Sequence, residues 1–213
     1  MNYYKYLLFF ALAILSSSCA TDDNATFPEF KLQTPDTFPD EDYELYSLFL
    51  EQYNTKTPVV FQKTIYEATF FSEPDAELDF EAELGNRFGD YESGLRQELT
   101  TVNQKAKFFD TKFTLENKEI YLITAAELDY INESSINTSN QQFDSFWNLY
   151  YQVHPDSQGY VSLSQIAYNE SQDQALFSFW NNCGGLCGDC GFVYFRKESG
   201  IWTLVDVFIV VTA

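Results

Sequence analysis

The sequence contains few basic residues, a single histidine and no long apolar run. Its 213 residues include 12 Lys and Arg against 32 Asp and Glu, which gives a formal net charge of −20. Nucleic-acid binding is excluded as an ordinary function because it needs clustered Lys and Arg to neutralise phosphates. Because the sequence has only one histidine, most catalytic mechanisms and metal sites that use several histidines are excluded. We therefore expect no nucleic-acid partner, no metal site and no cofactor.

The composition is nevertheless that of a folded chain. Hydrophobic residues make up 45% of the sequence and aromatic residues 18%, which is too apolar for an intrinsically disordered protein. At this length we expect one domain with a hydrophobic core of its own.

The first 18 residues have the composition of an export signal. Lys5 supplies a positive charge, residues 6–15 are apolar, and three serines precede Cys19. Ten apolar residues are about half of what a membrane-spanning helix needs, so we predict that residues 1–18 are a signal peptide that is removed. Removal takes away Lys5 and no acid, so the mature chain keeps 11 basic and 32 acidic residues, a net charge of −21.

The position of Cys19 resembles the lipobox of bacterial lipoproteins, in which the cysteine is diacylated and becomes the new N-terminus. Ser16 stands where those motifs usually carry Leu, a departure that is familiar in lipoproteins of Bacteroidetes. The resemblance implies that Cys19 is lipidated and attaches the protein to a membrane. Asp22 and Asp23 resemble the acidic signal that sends such lipoproteins to the cell surface, so we expect an outer-membrane or cell-surface location. The alternative is a plain secretory signal, which would leave Cys19 unmodified.

The mature chain divides into a tether and a domain. Residues 19–40 are predicted to be a lipid-anchored flexible tether, because Pro28, Pro35 and Pro39 fall there without sustained periodicity. Residues 41–213 are predicted to form a single α+β domain.

Two segments have the spacing of amphipathic helices. Apolar residues recur every three or four positions over 40–53 and again over 143–151. Five aromatic residues share one face of the second segment, which we interpret as core packing rather than a sugar or cofactor platform. His154 and Pro155 end this helix, so a capping or surface role is expected for the histidine.

The middle of the chain gives weaker patterns. β-Branched residues predict a strand over 59–66, and a second strand over 119–125 leads into an expected turn near Asn132. A helix is expected near 91–105, and residues 72–94 are interpreted as loop with short helical pieces.

From Gly159 onward the pattern changes to consecutive strands, at 160–169, 175–180, 192–196 and 201–211. Short connections between them predict an antiparallel meander of about four strands, packed by the aromatic-faced helices. The last strand is apolar on both faces. We therefore expect it to be central or covered on both sides, not a bare edge.

A segment rich in cysteine and glycine, residues 181–191, joins two of these strands. Cys183, Cys187 and Cys190 can form one disulfide in three pairings. Chain entropy does not choose among them, since loop closure contributes about 2 kcal/mol for Cys183 with Cys187 and about 2.5 kcal/mol for Cys183 with Cys190. A zinc site would lack a fourth ligand. A redox-active pair of Cys187 and Cys190 stays open, although Asp189 between them should raise the thiol pKa values.

The motifs HPDSQGYVSLSQIAYN, ALFSFWNNCGGLCG and KESGIWTLVDV lie between Trp147 and Val207. Together they resemble an uncharacterised family of exported bacterial proteins, often from Bacteroidetes, with a CGxLCG turn and a closing Gly-x-Trp strand. The CGxLCG turn corresponds to residues 183–188. The resemblance implies a Cys183–Cys187 disulfide, from which Cys190 is a departure, and it implies no activity.

These observations favour a lipid-anchored protein of the cell envelope that acts as a non-catalytic binding or structural module, with a protein or glycan partner. Two enzymatic alternatives stay open. One is a hydrolase of the glycosidase type, which would hold two carboxylates with separated pKa values in a deep pocket. The other is a thiol redox protein that uses the cysteine-rich segment.

Overall fold

The structure, a computed structural model, describes residues 27–54, 56–65, 80–136 and 142–212. Within these residues the chain forms five helices, α1 (Asp40–Tyr53), α2 (Phe80–Phe88), α3 (Leu95–Val102), α4 (Ala125–Ile136) and α5 (Gln142–Val153). It also forms seven strands, β1 (Val59–Phe61), β2 (Tyr121–Ile123), β3 (Tyr160–Leu163), β4 (Ala167–Tyr168), β5 (Gln174–Gly184), β6 (Cys187–Glu198) and β7 (Ile201–Thr212).

The strands form one mixed sheet in the order β2-β1-β3-β5-β6-β7, and the short β4 also pairs with β5. β1 is parallel to both β2 and β3, whereas the remaining pairs are antiparallel. The predicted α+β class with a C-terminal antiparallel meander is therefore confirmed. The strand predicted over 160–169 is split into β3 and β4.

Helices cover both faces of this sheet. On one face, Tyr46 and Phe49 of α1 are fully buried in a cluster with Val60, Phe177 and Val193. On the other face, α2 and α3 pack over β4 to β7, while α4 and α5 pack over β1 to β3. Because both faces are buried, the central strands are apolar at odd and even positions alike.

The two helices predicted from periodicity are confirmed as α1 and α5. Tyr150 of α5 is fully buried in a cluster with Ile131, Val59 and Ile123. The described aromatic side chains of α5, which exclude that of Phe143, therefore serve as core packing as expected. Partly buried in the same cluster are Phe146, Trp147 and Tyr151.

The segment after β2 is a helix, α4, where a turn near Asn132 was expected. Thr124 and Glu127 have the spacing of a capping box, and the Thr124 hydroxyl oxygen accepts a hydrogen bond from the Glu127 backbone N–H at 3.1 Å. This local signal begins a helix directly after the strand.

The expectation that the last strand is central or covered is wrong. β7 pairs with β6 alone and forms an edge of the sheet, and it exposes Ile201, Val205, Ile209 and Val211. An apolar pattern shows that a segment can form a strand. Whether that strand is central or at an edge depends on which other strands pair with it.

The expected tether also differs in the part that the structure describes. Residues 27–39 have no regular secondary structure, but they lie against the domain. The Gln33 backbone exchanges two hydrogen bonds with the Gln62 side chain, at 2.9 and 2.8 Å, and Phe38 is buried in the α1 cluster. Residues 19–26 lie outside the described residues.

Gly191 lies where β6 approaches β7 too closely for a side chain, since a Cβ there would stand 1.9 Å from the Phe208 carbonyl oxygen. We expect Gly191→Ala to lower the free energy of unfolding by more than about 2 kcal/mol, because the β7 backbone would have to move. Gly85→Ala in α2 is the matched control: its Cβ meets nothing within 4 Å, and helix propensity predicts a gain of up to about 1 kcal/mol. Urea unfolding measures both, and a Gly191→Ala variant as stable as the wild type would contradict this β6–β7 register.

Candidate functional site

The cysteine-rich segment is the tip of the β5–β6 hairpin rather than a long loop. Backbone pairing continues as far as Gly184 opposite Cys187, so only residues 185 and 186 remain between the strands. A disulfide joins Cys183 to Cys187 across this turn, which is the pairing that the family resemblance implies. Cys190 is a free, buried thiol.

Hydrogen bonds hold the tip from both faces of the sheet. The Tyr151 hydroxyl of α5 donates to the Cys183 carbonyl oxygen at 2.8 Å. From α1, the Tyr53 hydroxyl donates to the Asp189 carboxylate, which also accepts from the Asn181 amide at 3.0 Å. Burial and the Asp189 hydrogen bond raise the pKa of Tyr53, so its hydroxyl keeps the proton that it donates.

Cys187 and Cys190 lie on opposite faces of β6, because side chains alternate along a strand. Three residues of strand separate their Cα atoms by about 10 Å, whereas a disulfide needs Cα atoms within about 7 Å. Burial raises the pKa of the Cys190 thiol, and the charge of Asp189 acts in the same direction. This geometry does not favour a redox-active CxxC pair.

Exposed apolar side chains occur along β7, on both faces of the sheet, and at the hairpin tip. The C-terminal end of β7 adjoins the tip, since Val211 pairs with Cys190. At the apex Leu186 is 93% exposed, and four residues of β7 are between 37% and 69% exposed. We call these residues, together with the outer backbone of β7, the β7 edge: Leu186, Ile201, Val205, Ile209 and Val211.

β7 lacks most of the features that protect an edge strand. It contains no Lys, Arg or Pro, and its one charged residue, Asp206, is bound by Arg87 at 2.9 Å. Irregularities in its pairing with β6 are the protective feature that it has. No strand among the described residues pairs with its outer side. The Val207 backbone N–H donates to the Asp206 carboxylate at 2.8 Å, and an added strand would pair with the outer backbone groups that remain.

Two neighbouring carboxylates in the first turn of α1 have pKa values shifted in opposite directions. Burial raises the pKa of Asp42 to about 6, against the effect of a hydrogen bond from the Tyr168 hydroxyl at 2.7 Å. The Lys197 ammonium and then the Trp202 indole N–H lower the pKa of Glu41. Neither carboxylate lines the clefts beside α1, residues 111–122 or α3.

The single histidine is buried, where a capping or surface role was expected. His154 Nε2 lies 3.0 Å from Oε1 of Glu127, whose side chain is 1% exposed. The Tyr121 hydroxyl donates to the same carboxylate at 3.0 Å, and burial followed by the Glu127 charge raises the Tyr121 pKa to about 12. These side chains join β2, α4 and the end of α5. The capping-box spacing at Thr124 was the one sequence signal that pointed to Glu127.

Comparison of the chain with protein-family models, with curated proteins and with solved structures found no match. No helix in the described ranges has the length and apolarity needed to cross a bilayer. In the same ranges no three His, Cys, Asp or Glu side chains are arranged to hold a metal ion. The family resemblance stays a prediction, as does lipidation of Cys19, which lies outside the described residues.

We expect the Cys190 thiol to react with iodoacetamide only after denaturation, because its side chain is buried in the sheet. Without reductant, Cys183 and Cys187 should stay unlabelled in both states because they are joined. Peptide mapping by mass spectrometry after native and denatured labelling measures this, and labelling after reduction and denaturation is the control for all three. A native label on Cys190, or a label on Cys187 without reductant, would contradict the assignment.

The raised pKa of Asp42 makes the domain less stable as pH rises. Between the ordinary value of 3.8 and the folded value of about 6, the folded state holds a proton that the unfolded chain releases, so stability falls as pH rises through this window. Asp42→Asn should therefore stabilise the protein by roughly 2–3 kcal/mol at pH 8 and by little at pH 4. The amide oxygen still accepts from Tyr168.

Glu41→Gln should change the free energy of unfolding in the opposite direction to Asp42→Asn. The lowered pKa of Glu41 means that the folded state stabilises its ionised form. That contribution is present above pH 4.5 and is lost as pH falls, so this variant should be less stable than the wild type at pH 8. Urea unfolding of both variants from pH 4 to pH 8 measures the difference. Parallel pH profiles for Asp42→Asn and the wild type would refute the burial of an ionisable Asp42.

Proposed function

We propose that the protein is a lipid-anchored component of the cell envelope, at the outer membrane or cell surface, that binds a protein partner through the β7 edge and has no catalysis of its own. The observation that carries this proposal is the concentration of exposed apolar side chains on β7 and at the disulfide-closed tip. A concentration of exposed apolar side chains is typical of interaction sites.

The chemistry of the β7 edge favours a peptide strand as the partner. Its exposed side chains are aliphatic, and its outer backbone groups have no strand partner in the described chain. An extended segment can pair with such backbone groups while its alternate side chains contact the aliphatic residues. Backbone hydrogen bonds and burial of apolar side chains would then both contribute to the affinity for the same peptide.

The position of the β7 edge suits attachment through the N-terminal segment. Phe27 packs against Tyr130 of α4, and α4 lies over the β1 and β2 side of the sheet. Five strand spacings separate β2 from β7, which is about 24 Å. An anchor on Cys19 would thus hold the opposite side of the domain and leave β7 accessible.

The test is site-specific photo-cross-linking in intact cells, with the cross-linker placed at Leu186 or Val205. We expect the same cross-linked partner from both positions, and none from Asp129, an exposed control position on α4. Cys19→Ala should move the protein out of the membrane fraction and abolish the cross-links in that fraction.

Two outcomes would refute the proposal. Equal products from the control position would mean random collision rather than a contact surface. Membrane fractionation that is unchanged in Cys19→Ala would remove the lipid anchor, and cross-links that persist in that case would leave the β7 contact standing alone.

A further inference from the structure

A second surface, separate from the β7 edge, is an open cleft between α1 and residues 112–116. It has a volume of about 540 Å³. Its lining includes the partly buried apolar side chains Leu48 and Leu115 and the ring of Tyr43. We call it the α1 groove.

Hydrogen bonds fix both walls of the α1 groove. The Tyr43 hydroxyl accepts from the Asp110 backbone N–H at 2.8 Å, and the Ser47 hydroxyl accepts from the Thr114 backbone N–H at 2.9 Å. Ser47 in turn donates to the Tyr43 carbonyl oxygen at 2.6 Å. Because these bonds tie the loop to α1, the groove is formed before any ligand arrives, which lowers the entropic cost of binding.

The rim of the α1 groove is acidic. Asp40, Glu44, Glu51 and Glu116 line it, against one basic residue, Lys112. Asp40 is paired with Lys112 at 3.2 Å, and Glu51 lies 3.6 Å from Lys118. No salt bridge within the described chain reaches the remaining two, Glu44 and Glu116, and both are exposed.

Lys112 indicates which chemistry the groove accepts. Its ammonium lies 3.2 Å from the Asp40 carboxylate and 5.9 Å from the centre of the Tyr43 ring. A carboxylate beside an aromatic face is a favourable environment for an alkylammonium or guanidinium group with an aliphatic stem. A second cationic side chain entering the groove would meet the carboxylates of Glu44 and Glu116, which line it.

We propose that the α1 groove binds a basic, amphipathic peptide segment of a protein partner. Lys or Arg side chains of that segment pair with Glu44 and Glu116, and its apolar side chains contact Leu48 and Leu115. Charge complementarity favours a cationic ligand, because the acidic rim would repel an anionic lipid or a nucleic acid. This proposal does not rest on the β7 edge or on the lipid anchor.

The experiment measures fluorescence polarisation of labelled ten-residue peptides with the full mature chain. The probes alternate Lys with Leu, Lys with Ser, or Glu with Leu. We expect binding of the Lys/Leu peptide, weaker binding of the Lys/Ser peptide, which cannot use the apolar floor, and no binding of the Glu/Leu peptide. Affinity for the Lys/Leu peptide should fall as salt rises.

A pair of matched double variants separates the groove from the overall charge. Glu44→Gln with Glu116→Gln should weaken Lys/Leu binding about fivefold, the loss expected for two partly exposed ion pairs. Glu83→Gln with Glu98→Gln removes the same charge from exposed positions on α2 and α3 and should leave the affinity unchanged. Leu115→Ser should reduce the preference for the Lys/Leu peptide over the Lys/Ser peptide.

Three results would overturn the proposal. Equal weakening in both double variants would mean nonspecific attraction to an acidic protein. Equal affinity for the Lys/Leu and Lys/Ser peptides would remove the role of the apolar floor, and absence of Lys/Leu binding at low salt would remove the site. Circular dichroism of each variant confirms that a loss of binding is not a loss of fold.

Discussion

The pairing of β5 with β6 is the interaction on which the rest of the structure depends. It runs from Gln174 opposite Arg196 to Gly184 opposite Cys187, and the disulfide closes its end. Alternate residues of both strands point to opposite faces, and both sets are apolar, so helices must cover the sheet on both sides. The other strands add to this ladder on either side, β3 and β4 along β5 and β7 along β6.

In this acidic chain, tyrosine hydroxyls supply several of the hydrogen bonds to carboxylates. The chain has 15 tyrosines and 12 Lys and Arg for its 32 acids. A tyrosine hydroxyl donates to a carboxylate without bringing a charge of its own, and its ring contributes to the apolar core. Within the described residues, tyrosine hydroxyls donate to both buried acids and to two other acids, in the pairs Tyr168–Asp42, Tyr121–Glu127, Tyr53–Asp189 and Tyr91–Glu81.

The two surfaces proposed for binding differ in chemistry because they arise from different features of the fold. The β7 edge exists because the sheet ends on an apolar strand, and its recognition groups are backbone amides and aliphatic side chains. The α1 groove exists because a loop is tied to a helix whose exposed side is acidic. A partner strand and a basic segment can therefore bind without competing for the same residues.

The sequence by itself determined the charge and many of the local elements, although α4 was not predicted. Helical periodicity located α1 and α5, consecutive apolar segments located the C-terminal strands, and the resemblance of residues 183–188 implied the disulfide pairing that the structure has. Local patterns succeed here because each depends on residues within one or two turns of chain.

Tertiary structure alone decided the rest. It placed β7 at an edge, brought His154 to Glu127, and set residues 112–116 against α1. Each of these results depends on which distant segments pack against one another. That choice is set by the free energy of the whole folded chain and not by any one segment. Composition could show that the chain is acidic, but only packing decided which acids stand together beside an apolar floor.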